Sequence, residues 1–195
     1  MLPQFGPMTR ALLIANVVVF MVQSLLPGAL EQRFALWPID SGLFGFWQVV
    51  TYAFLHGGIA HLLFNMFGLV IFGSDLERVF GPQRYLQLYG ASVVFAAATQ
   101  LFINAAMGEG APTVGASGGV YGLVLGFAML FPERRIMLLF PPIPMPARVF
   151  AFLFAGLELF LGVTRTQSGV AHFAHLGGMI GAFLLIRHWR AARRS

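Results

Sequence analysis

The sequence predicts an all-α, polytopic membrane bundle of six transmembrane helices, on three observations. Apolar residues make up 58% of the 195 positions and charged residues only 10%, too few charges to clothe a water-soluble domain, in which about 25% is usual. Six apolar runs approach or reach the roughly 17–25 residues that cross a bilayer. The arginines between those runs fall almost entirely on alternate connections, as the positive-inside bias requires.

The first span, Thr9–Leu26, follows a short segment with one charge, Arg10. It lacks a small-x-small cleavage site and is long for a signal-peptide core, so it reads as a retained helix. The connection Pro27–Leu55 carries Phe44, Phe46, Trp37, Trp47 and Tyr52. Such aromatics favour the headgroup level, and the segment reads as a partly immersed element rather than a free loop. The remaining spans are Ile59–Gly73, Gln83–Met107, Gly115–Phe131, Arg148–Val163 and Gly169–His188. Between the fourth and fifth, Phe140–Pro146 holds four prolines, which block helix and stiffen the link. No internal repeat interrupts this order, and residues 1–195 read as one domain.

With the N-terminus in the cytoplasm, that side receives Arg10, Arg78, Arg84, Arg134, Arg135, Arg148, Arg187, Arg190, Arg193 and Arg194, against Arg33 and Arg165 opposite. Both termini are therefore expected to be cytoplasmic. Short tails without added domains point to a bacterial inner (plasma) membrane. The net charge of +5 forms no aromatic-interleaved basic stripe, which argues against nucleic acid. There is no cysteine, so thiol catalysis, disulfides and cysteine-ligated metals are excluded. No signal for an oligomeric state is present.

Polar groups inside hydrocarbon are costly, so their positions are informative. His61 and Asn65 are four apart and share a helix face. Both can donate hydrogen bonds, which suits an oxyanion site or polar glue between helices. Ser117 lies in Gly115-Ala-Ser-Gly-Gly-Val-Tyr-Gly122 at the head of an apolar helix. Free N–H groups and the positive dipole end favour an anion there. A helix-packing stripe or a serine N-cap reads equally from the same residues. From Ser117 to Phe131 is about 22 Å of helix, so a cytoplasmic anchor at Glu133-Arg134-Arg135 leaves the serine roughly 10 Å below the opposite surface. Irregular backbone at such depth needs a wet cavity or surrounding protein.

His172 and His175 lie three apart on the last span, followed by the small-xxx-small pairs Gly177/Gly181 and Gly178/Ala182. Close packing on the glycine-rich fourth helix brings an imidazole beside Ser117, where either histidine can act as general base. The histidine spacings lack the His-Glu-x-x-His pattern of a zinc site, so no metal is expected. Glu158, in the fifth span, reads as a lone glutamate near a helix end reaching the interface, or as the ionisable group of a small transporter. Asp75, Glu77 and Arg78 read as a structural charge cluster.

Together these motifs resemble the rhomboid family of intramembrane proteases. The resemblance rests on His56, His61 and Asn65 as a His-x4-His-x3-Asn run, on Gly115, Ser117 and Gly118 as Gly-x-Ser-Gly, on Tyr121 four residues after the serine, and on Ala174, His175, Gly177 and Gly178. The Trp47 region and Glu77 with Arg78 are similar too. It implies a six-helix rhomboid fold and a Ser117–His175 dyad without an aspartate, with His172 as alternative base and no cofactor. It further implies an oxyanion hole from Ser117, His61 and Asn65, with Tyr121 packed on the imidazole and Gly115 and His56 in support. The implied partners are the lipid bilayer and single-span membrane proteins, cut in or near the membrane from a site opening to the non-cytoplasmic side. The alternative within the family is an inactive relative that binds transmembrane clients.

Overall fold

The computed structural model describes residues 5–108, 111–138, 141–165 and 171–192. Among the described residues seven α-helices follow in order: α1 (Pro7–Leu25), α2 (Ala29–Phe34), α3 (Gln48–Thr51), α4 (Ile59–Met107), α5 (Ser117–Leu130), α6 (Ala147–Thr164) and α7 (His172–Ala192). α4 is two helices meeting at a corner, because Gly81 (φ 76°) turns the chain and Pro82 starts the second arm. α1, α4 and α6 are long and apolar enough to cross a membrane, and α5 is a shorter apolar helix.

The outward faces follow the chemistry of lipid rather than water. Along α1 the buried residues include Thr9, Asn16 and Gln23, while Ile14, Met21 and Leu25 are exposed. A seven-residue step keeps one face of a helix, so α1 turns its polar stripe inward and its apolar side out. α6 does the same, burying Glu158 and exposing Phe152 and Phe160.

α5 is the central post, packed by α4 and α7, and its glycines set the spacing. Space beside Gly118 is filled by Ala96, beside Gly119 by Tyr89, and beside Gly122 by Ser92. A Cβ on Gly178 of α7 would stand 1.9 Å from the carbonyl oxygen of Gly118. The two backbones therefore touch, as small residues permit.

The second span is expected to end at Gly73, yet the helix continues to the corner at Gly81. Its polar extension is paid in contacts: Asp75 binds Arg78 and Arg134, each at 2.7 Å. Glu77 is buried and accepts from the N–H groups of Met8 and Thr9 and from the Thr9 hydroxyl, so it satisfies the free start of α1. The fourth helix starts two residues later than expected, at Ser117, with Ala116 as its N-cap. The Pro-rich link forms a short antiparallel pair, β1 (Arg135–Met137) and β2 (Pro144–Pro146), since an edge strand accommodates proline. Its Phe140, like Gly169 at the expected start of the sixth span and Arg193 and Arg194, lies outside the described residues.

The segment between α1 and α4 is built around Gln48. This buried amide accepts from Trp37 N–H and donates to the carbonyls of Arg33 and Leu43. Trp47 donates its indole N–H to Arg33. Leu36 and Thr113 exchange two backbone bonds of 2.9 Å, tying this segment to the strand of chain that leads into α5.

The backbone contact between α5 and α7 generates the first prediction. Gly178→Ala lowers unfolding stability by at least about 1–3 kcal/mol through overpacking, whereas Gly156→Ala, which meets nothing within 4 Å, leaves it unchanged or higher. Denaturant titration of the purified protein in one detergent checks the difference.

Candidate active site

Gly115 precedes the α5 N-terminus with φ +127°, a backbone state that favours glycine. A Cβ there would stand 2.7 Å from His61 Cε1 and 2.8 Å from Nε2. Its N–H donates to the carbonyl of Tyr52, and the Tyr52 hydroxyl donates to Val93. These bonds hold the turn that delivers Ser117 as the first residue of α5. The N-cap is Ala116, so no side chain caps the start of the helix. Ser117 Oγ lies 2.8 Å from His175 Nε2.

His175 is fixed from several sides. The Tyr121 ring stacks on it with centroids 4.3 Å apart and planes 3° from parallel. Its Nδ1 stands 3.0 Å from Glu158 Oε2, in ion-pair range, although the N–H axis does not align with that oxygen as in a full hydrogen bond. His172 directs its own Nδ1 at the same Oε2, at 2.6 Å, and the Tyr121 hydroxyl donates to Oε1. Glu158 is thus corrected: it is not a lone group reaching the interface but is 5% exposed and shared by three side chains from α5 and α7. Nothing in a single glutamate of an apolar helix announces which neighbours will face it. The polar residue itself, in an otherwise apolar span, was the available signal.

The structure brings His61 to the serine but leaves its neighbours in resting contacts. Gly57 N–H donates to His61 Nδ1 at 3.3 Å, which assigns the proton to Nε2, on the Gly115 side. Asn65 spends its amide N–H on the carbonyl of His61. His56 is buried behind His61 at 5.1 Å between ring centroids. Burial pushes its pKa down to about 4, with the His61 ring a smaller cause in the same direction, so it stays neutral near pH 7.

A cavity of about 900 Å³ runs beside these groups, from the residues 111–114 to β1. Ser117, His61, Asn65, Tyr121 and His175 line it, together with Phe64 and Phe67 of α4 and Phe154 of α6. Glu158, His172 and His175 also offer ligand atoms within 4.8 Å of one another. Their pairwise contacts of 2.6 and 3.0 Å to one oxygen are hydrogen-bond and ion-pair distances.

Known proteins agree with this architecture. A family model described as Rhomboid domain matches residues 44–190. The rhomboid protease GlpG of Yersinia pestis (strain Pestoides F) is 30% identical over 188 residues, covering 93% of this chain and 62% of the relative. GlpG of Serratia proteamaculans (strain 568) is 30% identical over 198 residues, covering 97% and 65%. RHOMBOID-like protein 12, mitochondrial, of Arabidopsis thaliana is 35% identical over 144 residues, covering 67% and 42%. The chain thus spans about two fifths to two thirds of the length of these relatives. A match over three quarters of the sequence, on a bundle of apolar helices, makes this a multi-pass membrane protein that belongs to the rhomboid family.

Proposed function

We propose that this protein is an intramembrane serine endopeptidase in which Ser117 is the nucleophile and His175 its general base. The observation that carries the reading is the 2.8 Å contact between Ser117 Oγ and His175 Nε2, with the imidazole stacked on Tyr121. The substrates are single-span membrane proteins. Their entry is lateral, through the cleft between the first arm of α4 and α6, whose walls are aromatic. A helical carbonyl is already hydrogen-bonded, so the segment to be cut unwinds before it reaches the serine.

In the first step His175 Nε2 takes the hydroxyl proton as Ser117 Oγ bonds to the peptide carbonyl carbon. The negative charge on the carbonyl oxygen falls beside the free N–H of Ser117 at the start of α5. His61 Nε2–H is the second donor. Asn65 becomes the third on exchanging the His61 carbonyl for the oxyanion. The imidazolium returns its proton to the leaving amine, and the acyl-serine is hydrolysed by water with the same base. We further infer that the whole of residues 1–195 is one rhomboid-type domain. Its arginine-rich end, where Arg84 lies over Trp189 and Arg134 binds Asp75, faces the cytoplasm of a bacterium, leaving Ser117 open to the other side.

Cleavage of a reconstituted transmembrane peptide, and labelling by a fluorophosphonate probe, test the nucleophile. Both are lost in Ser117→Ala, and cleavage that survives unchanged in that variant refutes the assignment. For the base, His175→Ala abolishes turnover, at least ~10³-fold, whereas His172→Ala retains measurable activity; the reverse result moves the base to His172. Asn65→Ala lowers kcat by about 10²–10³-fold, the usual loss for one oxyanion donor, with Ser117 labelling and folding as controls; an unchanged kcat removes Asn65 from the oxyanion site.

A further inference from the structure

Beyond the serine and its base, we propose that Glu158 is a positioning residue of the same site: the carboxylate that holds the His175 ring in the tautomer able to accept the Ser117 proton, and that balances the charge the ring then gains. This rests on the hydrolytic reading above and extends it from two residues to three.

Consider first what a base in this place requires. A neutral imidazole carries one proton, on Nδ1 or on Nε2. Only the form with Nδ1–H leaves Nε2 free to accept from Ser117. A partner on Nδ1 selects that form, and the group nearest to Nδ1 is Glu158 Oε2 at 3.0 Å. On taking the proton, His175 becomes a cation inside the membrane domain. An isolated charge is costly there, and the nearest group of opposite sign is that same carboxylate. The groups facing His175 are Ser117 and Tyr121 from α5, Glu158 from α6, His61 from α4 and His172 from its own helix. Among them Glu158 is the one able to carry negative charge near neutral pH.

The surroundings hold Glu158 for that task. Oε2 accepts from His172 Nδ1 at 2.6 Å, and Oε1 accepts from the Tyr121 hydroxyl. Tyr121 therefore acts twice, with its ring face against the imidazole and its hydroxyl on the carboxylate. Rotating Glu158 away breaks both bonds at once. His172 and His175, one turn apart on α7, approach the same oxygen, which accounts for two histidines where the base needs one.

The test uses the full chain, purified and reconstituted, with the transmembrane peptide and the fluorophosphonate probe. Glu158→Gln preserves size but removes the charge in either amide orientation: with its NH₂ on the imidazoles it favours the wrong tautomer of His175, and with its NH₂ on the Tyr121 hydroxyl it leaves the imidazolium unbalanced. The expected result is a kcat lower by about 10²–10⁴-fold, in the range known for the equivalent change in a serine triad. KM stays within about threefold, probe labelling slows in parallel, and Glu158→Asp, which restores the charge, recovers part of kcat. A Glu158→Gln protein whose kcat stays within about threefold of wild type overturns the proposal. So does a loss that merely tracks the folded fraction measured by thermal unfolding. If Glu158→Gln does not fold, Tyr121→Phe decides, since it keeps the ring stack and removes only the hydroxyl on the carboxylate: a fall in kcat at unchanged KM supports the proposal, and unchanged kcat overturns it. Wild-type protein inert toward both peptide and probe sinks the hydrolytic reading itself, and this inference with it.

Discussion

The meeting of a hydroxyl and an imidazole in this protein depends on two backbones touching. Gly118 and Gly178 face each other with no room for a methyl group, and Ser117 and His175 stand one and three residues from that contact. A serine side chain reaches only a short way from its helix, so the axes of α5 and α7 must be unusually close for Oγ and Nε2 to come within 2.8 Å. Lipid offers little hydrophobic incentive for helices to associate, and close packing of small residues takes over that role. The glycines are thus part of the active-site geometry as well as of the fold. Ser92 and Ala96 of the second arm of α4 crowd the same glycines, since a Cβ on Gly122 would meet both Ser92 Oγ at 2.0 Å and the Gly178 carbonyl oxygen at 2.9 Å.

A second constraint follows from burying polarity in an apolar domain. Along α1, Thr9 is bonded to Glu77 and Gln23 to the backbone of His56, while the Asn16 amide N–H donates to the Leu12 carbonyl of its own helix and its Oδ1 has no partner. Gln48 plays the same part in the segment between α1 and α4. These pairings fix helix rotation: a quarter turn of α1 would carry Asn16 and Gln23 into lipid and strand Glu77. The cluster of Glu158, His172, His175 and Tyr121 gathers buried polar side chains around one carboxylate, which receives His172 and Tyr121 directly and has His175 Nδ1 at 3.0 Å.

Much of this was legible in the chain before any coordinates. Apolar runs and arginine placement located the helical segments, because hydrocarbon leaves the backbone few alternatives to helix. The glycines at 177, 178 and 181 announced a close-packed face. What escaped was whatever depends on a partner from elsewhere. The second span looked finished at Gly73, since hydropathy cannot know that Asp75 will meet Arg134 or that Glu77 will receive the start of α1. Glu158 looked solitary for the same reason: its histidines lie on another helix and its tyrosine on a third. The turn between α5 and α6 was legible as non-helical from its prolines, but strand pairing is a relation between two segments.

The sharp corner at Gly81 works as a ruler. One residue reverses the chain, so the height of every side chain on the first arm of α4 is set by counting back from it. Asn65 is sixteen residues away, about 24 Å along the axis, and Ser117 is fourteen from Phe131, the C-cap of α5, about 21 Å. The two helices therefore lift donor and nucleophile to nearly equal levels from neighbouring footings at the arginine-rich end. One extra residue between Asn65 and the corner would raise His61 and Asn65 by only about 1.5 Å but swing them around the axis by about 100°, carrying them clear of the serine while leaving the helix intact.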